Sequence, residues 1–154
     1  MTVTLHPIAK DNYLKCIRLK VSAGQETFVA SNAVSLVQAV YEEGAIPRAI
    51  YADDTMVGFI MAQYIPAEQM PYIWRLMIDA SHQGKGYGKA AMQLMLDHLK
   101  AIPGCQRIGI SYVPENDTAR QLYAALGFIE TGEMDGAEVV AHLVIDAPAE
   151  STPL

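Results

Sequence analysis

The sequence predicts a mixed β-sheet covered by helices, and three observations carry that reading. Short apolar or alternating segments bounded by Gly, Pro, Asn and Asp read as strands, whereas Asn32–Glu43, Tyr87–Lys100 and Asn116–Leu126 carry apolar residues at helical spacing. The helical segment Tyr87–Lys100 stands between two apolar strands, which favours a parallel crossover there. Asp135-Gly136, set between two alternating segments, signals a tight hairpin. The predicted order is β-α-α-β-β-β-α-β-α-β-β.

Taken in turn, Val3–Pro7 alternates as a first strand, and Asp11 or Asn12 opens a short helix through Cys16, Ile17 and Leu19. Ser22–Ser31 is a polar interruption. Asn32–Glu43 has Ala33, Leu36, Val37 and Val40 at helical spacing and stops at Gly44. Ile46–Tyr51, the polar turn Ala52–Thr55 and Met56–Tyr64 form a hairpin. Pro66 and Pro71 bracket a loop before the apolar strand Tyr72–Ile78. Tyr87–Lys100, with Ala91, Leu94, Met95, His98 and Leu99 in period, ends before Pro103-Gly104. Arg107–Tyr112 is a strand, and Asn116–Leu126 is a helix closed by Gly127. Phe128–Met134 and Ala137–Ile145 flank the last turn.

A chain of 154 residues and 16.8 kDa with 51% hydrophobic and 18% charged residues can bury a sizeable core. One domain is expected over residues 1–146, followed by a frayed tail over 147–154. No apolar run has the roughly 18–20 residues of a membrane span, and the N-terminus has no basic-then-apolar leader. Cys16 and Cys105, far apart and outside any CxxC pair, read as free thiols of a reducing cytoplasm, with a lone disulfide second. Eleven Lys and Arg against 17 Asp and Glu give a formal net charge of −6, which argues against nucleic acid as a partner. No Lys or Arg follows Arg120, whereas Glu130, Glu133, Asp135, Glu138, Asp146 and Glu150 do. Such an acidic end suits a cationic partner, and a merely solvated face equally. His6, His82, His98 and His142 have no ligand-like spacing, so no metal site is expected. Neither a GxSxG elbow nor a Cys/His pair points to a covalent nucleophile. The eight methionines read as adaptable core filler.

The segment richest in chemistry runs from Arg75 to Ala90. An apolar strand enters a turn with Gly84, Gly86 and Gly88 on alternate positions, and a helix follows at once. Glycines let successive N–H groups converge, and the helix N-terminus adds partial positive charge, so the turn is a candidate phosphate cradle. Lys85 and Lys89 add cations beside it. The spacing is neither the GxGxxG of dinucleotide folds nor a GxxxxGK[ST] loop. A flexible strand–helix connection is the bland alternative. Against it, three glycines cost roughly 0.8–1 kcal/mol each wherever they fall inside a helix.

Gln83-x-x-Gly86-x-Gly88 after an apolar strand resembles the acetyl-CoA signature of the GNAT N-acetyltransferase superfamily. A second element, Asn116 with Ala119-Arg120-Gln121-Leu122-Tyr123 and Leu126-Gly127-Phe128, resembles the family's N-x-x-A-x-x-L-Y-x-x-x-G-F pattern. The likeness extends from the first strand to about Ile145. Within the family, Ile78-Asp79, Gln83-Gly84-Lys85-Gly86 and Thr131-Gly132-Glu133 are most similar to bacterial spermine/spermidine (diamine) acetyltransferases. The resemblance implies a six- to seven-stranded mixed sheet flanked by about four helices, with a splayed central parallel strand pair. It also implies acetyl-CoA as cofactor, with CoA as product, and a homodimer.

By the same resemblance, Leu76, Met77 and Ile78 pair through their backbone with pantetheine. The segment Gln83, Gly84, Lys85, Gly86, Tyr87, Gly88 and Lys89 holds the pyrophosphate, and Asn116 contacts the pantetheine arm. Leu76–Ile78 is equally plain core strand, and Asn116 equally a helix N-cap. Tyr123 would be the general acid that protonates the departing thiolate. A phenol with pKa of about 10 needs positioning to protonate a thiolate whose conjugate acid is near about 8.5. Read on spacing alone, Tyr123 is an aromatic on the buried face of its helix.

The base is not set by the sequence. A primary amine of pKa about 10.4 is more than about 99.9% protonated at pH 7, and freeing it costs roughly 4–5 kcal/mol. Some polyamine acetyltransferases have a carboxylate at the position of Trp74, and this chain does not. A water chain ending on Glu26, Glu115 or Glu138 is the alternative. Trp74 would pack in the core or stack on a cationic acceptor. Glu26 in the Ser22–Ser31 loop and Glu133, Asp135 and Glu138 around the last turn are the carboxylates expected to border the acceptor cleft.

The function expected is therefore acetyl transfer from CoA to a primary amine, a polyamine or diamine such as spermidine or spermine, in the cytoplasm and without membrane or nucleic acid. An aminoglycoside, amino acid or peptide N-terminus is the alternative acceptor. A catalytically silent acyl-CoA sensor is the alternative of a different class.

Overall fold

The computed structural model describes residues 1–145, so the tail expected over 147–154 lies outside the described residues. Seven strands form one sheet: β1 (Val3–Pro7), β2 (Ala45–Ala52), β3 (Thr55–Gln63), β4 (Tyr72–Ile78), β5 (Arg107–Tyr112), β6 (Ile129–Asp135) and β7 (Glu138–Val144). Their order across the sheet is β1-β2-β3-β4-β5-β7-β6, and β4–β5 is its one parallel pair. The crossover between them is α3 (Tyr87–Lys100), as the bracketing strands predict. The other helices are α1 (Tyr13–Arg18), α2 (Asn32–Tyr41) and α4 (Asp117–Ala125).

Each face of the sheet buries its own apolar cluster. On one face, Ala91, Met92, Met95, Leu96 and Leu99 of α3 and Ala119 and Tyr123 of α4 pack on Ile50, Ile60, Ile73, Ile108 and Ile110. On the other, Cys16 of α1 and Leu36 and Ala39 of α2 pack with Ala49, Met56, Phe59, Met61 and Met77. Met56, Met61, Met77, Met92 and Met95 are all buried, the filling role expected of them.

α2 differs from its apolar periodicity. Val37 is 59% and Val40 76% exposed, whereas Asn32 and Ser35 are buried. The Asn32 amide decides this rotation: it donates to the Cys16 carbonyl at 2.8 Å and lies beside the Met77 sulfur at 3.6 Å, so the polar edge of the helix faces inward. In α3 the buried stripe is likewise displaced from the expected one, with Leu94 and His98 outside and Met92 and Leu96 inside. The last hairpin turns on Gly136-Ala137, one residue later than Asp135-Gly136, because Asp135 still pairs with Glu138. Gly136 has φ +60°, and glycine at the first central position is what a type II′ turn requires.

Both cysteines are free thiols; Cys16 is buried and Cys105 half-buried. Burial pushes the Cys16 pKa up to about 11, against a hydrogen bond from Asn32 that lowers it. Only the thiolate reacts readily with alkylating reagents. Iodoacetamide at pH 8 is therefore expected to label the native chain at Cys105 alone, and Cys16 only after unfolding, as read by peptide mass. Rapid native labelling of Cys16 would contradict this packing.

Candidate active site

The site begins where two strands stop pairing. β4 and β5 share only the rungs Tyr72↔Gly109 and Ile73↔Ile110. A Cβ on Gly109 would come within 2.7 Å of the Tyr72 ring, so the first rung needs glycine. Beyond Ile73, β4 carries a bulge: Ala62 pairs with Ile73 but Met61 pairs with Arg75, which leaves Trp74 as the extra residue. The bulge changes the side-chain alternation. Ile73, Leu76 and Ile78 face the α3/α4 cluster, and Trp74 and Met77 face the α1/α2 cluster. The strands then diverge around a cleft of about 790 Å³, lined by Trp74–Ile78, by Ser111 and Tyr112 of β5, and by residues of α3, α4 and the loop before α2.

The glycine turn closes one end of the cleft. Gly84, Gly86, Tyr87, Gly88 and Lys89 line it, and Lys85 does not. Gly86, at the N-cap of α3, has φ +84°. No backbone N–H from Gly84 to Lys89 has a hydrogen-bond partner among the described residues, the state of helix-start donors that await an acceptor. Gln83 also borders the cleft, but its side chain is a clip: its amide donates to the Ile78 carbonyl at 2.9 Å and to Gln25 at 2.8 Å, and its carbonyl accepts from Ser22 at 3.3 Å. Asp79 makes a second clip to the same loop, accepting from the Lys20 N–H at 2.9 Å. Burial raises its pKa, but hydrogen bonds from Ser81 and Lys20 outweigh this and leave it lowered. The ring of Tyr87 turns away from the turn, its hydroxyl donating to the Met1 sulfur at 2.9 Å.

Asn116 is the N-cap of α4 and also borders the cleft. Its side-chain oxygen accepts from the Ala119 N–H at 3.2 Å as an N-cap, while the residue lines the cleft and its amide NH₂ has no partner among the described residues. Tyr123 is 7% exposed yet also lines the cleft. Its ring packs against Tyr112 at 5.4 Å and Phe128 at 6.1 Å between centroids. Burial, then the charges of Tyr112 and Glu138, raise its pKa, so the hydroxyl keeps its proton throughout the physiological range.

Away from the glycine turn stand Trp74, Arg75, Ser111 and Glu138, and the loop residues Gln25, Thr27 and Phe28 also line the cleft. Of the carboxylates weighed as base or acceptor contacts, only Glu138 reaches the cleft, where it accepts from the Ser111 hydroxyl at 2.9 Å. Glu26, Glu115, Glu133 and Asp135 are exposed and outside it. β6 is exposed along its whole length, so Glu133 and Asp135 face solvent, although Asp135 pairs with Glu138 across the hairpin. Arg75 and Ser111 received no role from the sequence. The signal for Arg75 was present, as a lone cation in the middle of the apolar strand YIWRLMI.

Residues 23–128 match the acetyltransferase (GNAT) family. The chain is 30% identical over 141 residues to the spermine/spermidine N(1)-acetyltransferase of Bacillus subtilis (strain 168), covering 88% of this chain and 93% of that one. It is 28% identical over 102 residues to the L-2,4-diaminobutyric acid acetyltransferase of Wolinella succinogenes, covering 60% of this chain and 59% of that one. Among solved structures, the PaiA N-acetyltransferase of Thermoplasma acidophilum in complex with coenzyme A shares the fold with a TM-score of 0.71 at 14% identity, over 94% of this chain and all of that one.

Gly86 and Gly88 separate backbone strain from ligand approach. A Cβ at Gly88 would make only ordinary contacts, 3.7 Å to Ile78 and 3.9 Å to Leu122, whereas Gly86 holds a left-handed φ. Gly88→Ala is expected to keep its melting temperature and lose acetyl-CoA affinity by titration calorimetry. Gly86→Ala is expected to lose both, with about 1–2 kcal/mol of stability gone. Unchanged affinity in both variants would remove the turn from the site.

Proposed function

The chain belongs to the acetyltransferase (GNAT) family and is an acyltransferase that uses acetyl-CoA, and from that premise we propose that it acetylates the primary amine of a small molecule. One observation carries the reading: a single cleft joins the glycine turn, the free edge of β4, the protonated Tyr123 and the carboxylate of Glu138. Pyrophosphate would lie on the N–H groups from Gly84 to Lys89, and pantetheine along Leu76–Ile78 with Asn116 across from it. The amine nitrogen attacks the thioester carbonyl, a C–N bond forms, and the C–S bond breaks. Before the attack the ammonium gives one proton towards Glu138, directly or through water, which frees its lone pair. As the C–S bond breaks, Tyr123 protonates the thiolate and is itself reprotonated, through water, by the second proton that the attacking nitrogen loses on becoming an amide.

The relatives support a polyamine or diamine such as spermidine or spermine as acceptor. In that case the exposed Glu133 and Asp135 meet the far ammonium groups outside the cleft. Ion pairs of this kind contribute about 0.2–1 kcal/mol each and are screened beyond roughly 8–10 Å. Arg75 supports a second reading, a small amino acid, because a cation in the cleft repels a polycation and attracts a carboxylate.

Thiol release from acetyl-CoA with a panel of primary amines tests the proposal. Turnover with at least one amine is expected, and Tyr123→Phe should lower kcat about 10–10³-fold with little change in the KM for acetyl-CoA. Tight CoA binding without turnover of any amine would make the chain a sensor instead. For a polyamine acceptor, KM should rise with ionic strength, and neutralising Glu133, Asp135 and Glu138 together should raise it further. A KM indifferent to both leaves those carboxylates as a solvated face.

A further inference from the structure

The acceptor end of the cleft carries one positive and one negative side chain. Among the described residues Glu138, held by Ser111 of β5, is the only carboxylate lining the cleft, and Arg75 lines it from β4. The two are close enough that each enters the other's surroundings, yet no ion pair joins them: among the described residues the only salt bridge is Arg120–Glu130. Arg75 is thus a half-buried guanidinium without a carboxylate partner.

Its position is fixed from three sides. One Nη donates to the Trp74 carbonyl at 3.0 Å and the other to the Gln38 side chain of α2 at 3.0 Å. The guanidinium carbon stands 5.0 Å from the centre of the Trp74 ring. A guanidinium has five N–H donors. Two are used, Nε is buried without a partner, and one hydrogen on each Nη is left to donate to a ligand. Burial lowers the Arg75 pKa and the charge of Glu138 opposes that, the balance of a cation that is desolvated and incompletely compensated.

The anion that Arg75 awaits is not the cofactor's pyrophosphate. The glycine turn belongs to α3, whereas Arg75 is tied to α2 and stacked on Trp74, which packs in the α1/α2 cluster. From this geometry we infer that the acceptor carries a carboxylate as well as its primary amine, Glu138 receiving the ammonium and Arg75 the carboxylate. The substrate class is a small amino acid with a free primary amine, including diamino acids. This rests on the acetyl-transfer reading for the identity of the site, but its binding chemistry is measurable without turnover.

Matched pairs that differ only by a carboxylate isolate the effect: ornithine against putrescine, lysine against cadaverine, and 2,4-diaminobutyrate against 1,3-diaminopropane. Calorimetry on the full chain saturated with CoA reads affinity directly, and thiol release reads kcat/KM. In the wild type the amino acid of at least one pair is expected to bind about 10- to 100-fold more tightly than its decarboxylated partner, the size of a charge-assisted contact. Arg75→Gln should bring that ratio close to one while CoA affinity and the melting temperature are kept. Gln38→Ala, which frees the guanidinium without removing it, should reduce the ratio part of the way. Equal or tighter binding of the decarboxylated partner in all three pairs would overturn the inference. So would an Arg75→Gln variant that weakens both members alike. Carboxylate-dependent binding without acetylation would uphold it and refute the transfer reading instead.

Discussion

Everything functional in this chain depends on the early parting of β4 and β5. Two neighbouring parallel strands would ordinarily satisfy each other's backbone groups along their length. Here they pair at two rungs, and the bulge at Trp74 then directs β4 away. The parting leaves a strand edge with unpaired donors and acceptors in the middle of a sheet, where a leftover edge is a liability unless something else pairs with it. An extended amide-containing arm such as pantetheine is suited to do so. The same bulge divides the side chains of β4 between the two faces. Leu76 and Ile78 go to the α3/α4 side, and Trp74 and Arg75 are turned towards α2.

The two ends of the cleft differ in their electrostatics. At the glycine turn the attraction for anions comes from backbone N–H groups and from Lys89, which suits phosphates. At the other end a single carboxylate and a single guanidinium face each other without pairing. The loop before α2 also lines the cleft and is clipped by Gln83 and Asp79 where β4 runs into the glycine turn. The formal charge of −6 describes the chain as a whole and not the cleft, because Glu133 and Asp135 lie on the exposed hairpin.

Most of the fold was legible because its signals are local. Tyr72–Ile78, Tyr87–Lys100 and Arg107–Tyr112 have the bounds that their periodicity and flanking breakers indicate. The glycine spacing also pointed to one end of the cleft. Less legible was anything that depends on a partner distant in sequence. α2 presents Asn32 and Ser35 inward because of a carbonyl on α1 and a sulfur on β4, and no periodicity within α2 encodes that. The bulge at Trp74 is invisible in a run of seven mostly apolar residues, so Arg75 received no role from the sequence. The acidic end read as an acceptor surface, yet among its described residues only Glu138 lines the cleft, held by Ser111 from the neighbouring strand.

Hydrogen–deuterium exchange with and without CoA tests the central claim most directly, because it reads the backbone groups that the parted strands leave open. The account predicts that CoA slows exchange in two stretches, Leu76–Ile78 on the free edge of β4 and Gly84–Lys89 at the start of α3, while β1 and β2 are unchanged. Binding of CoA with no slowing in either stretch would contradict it.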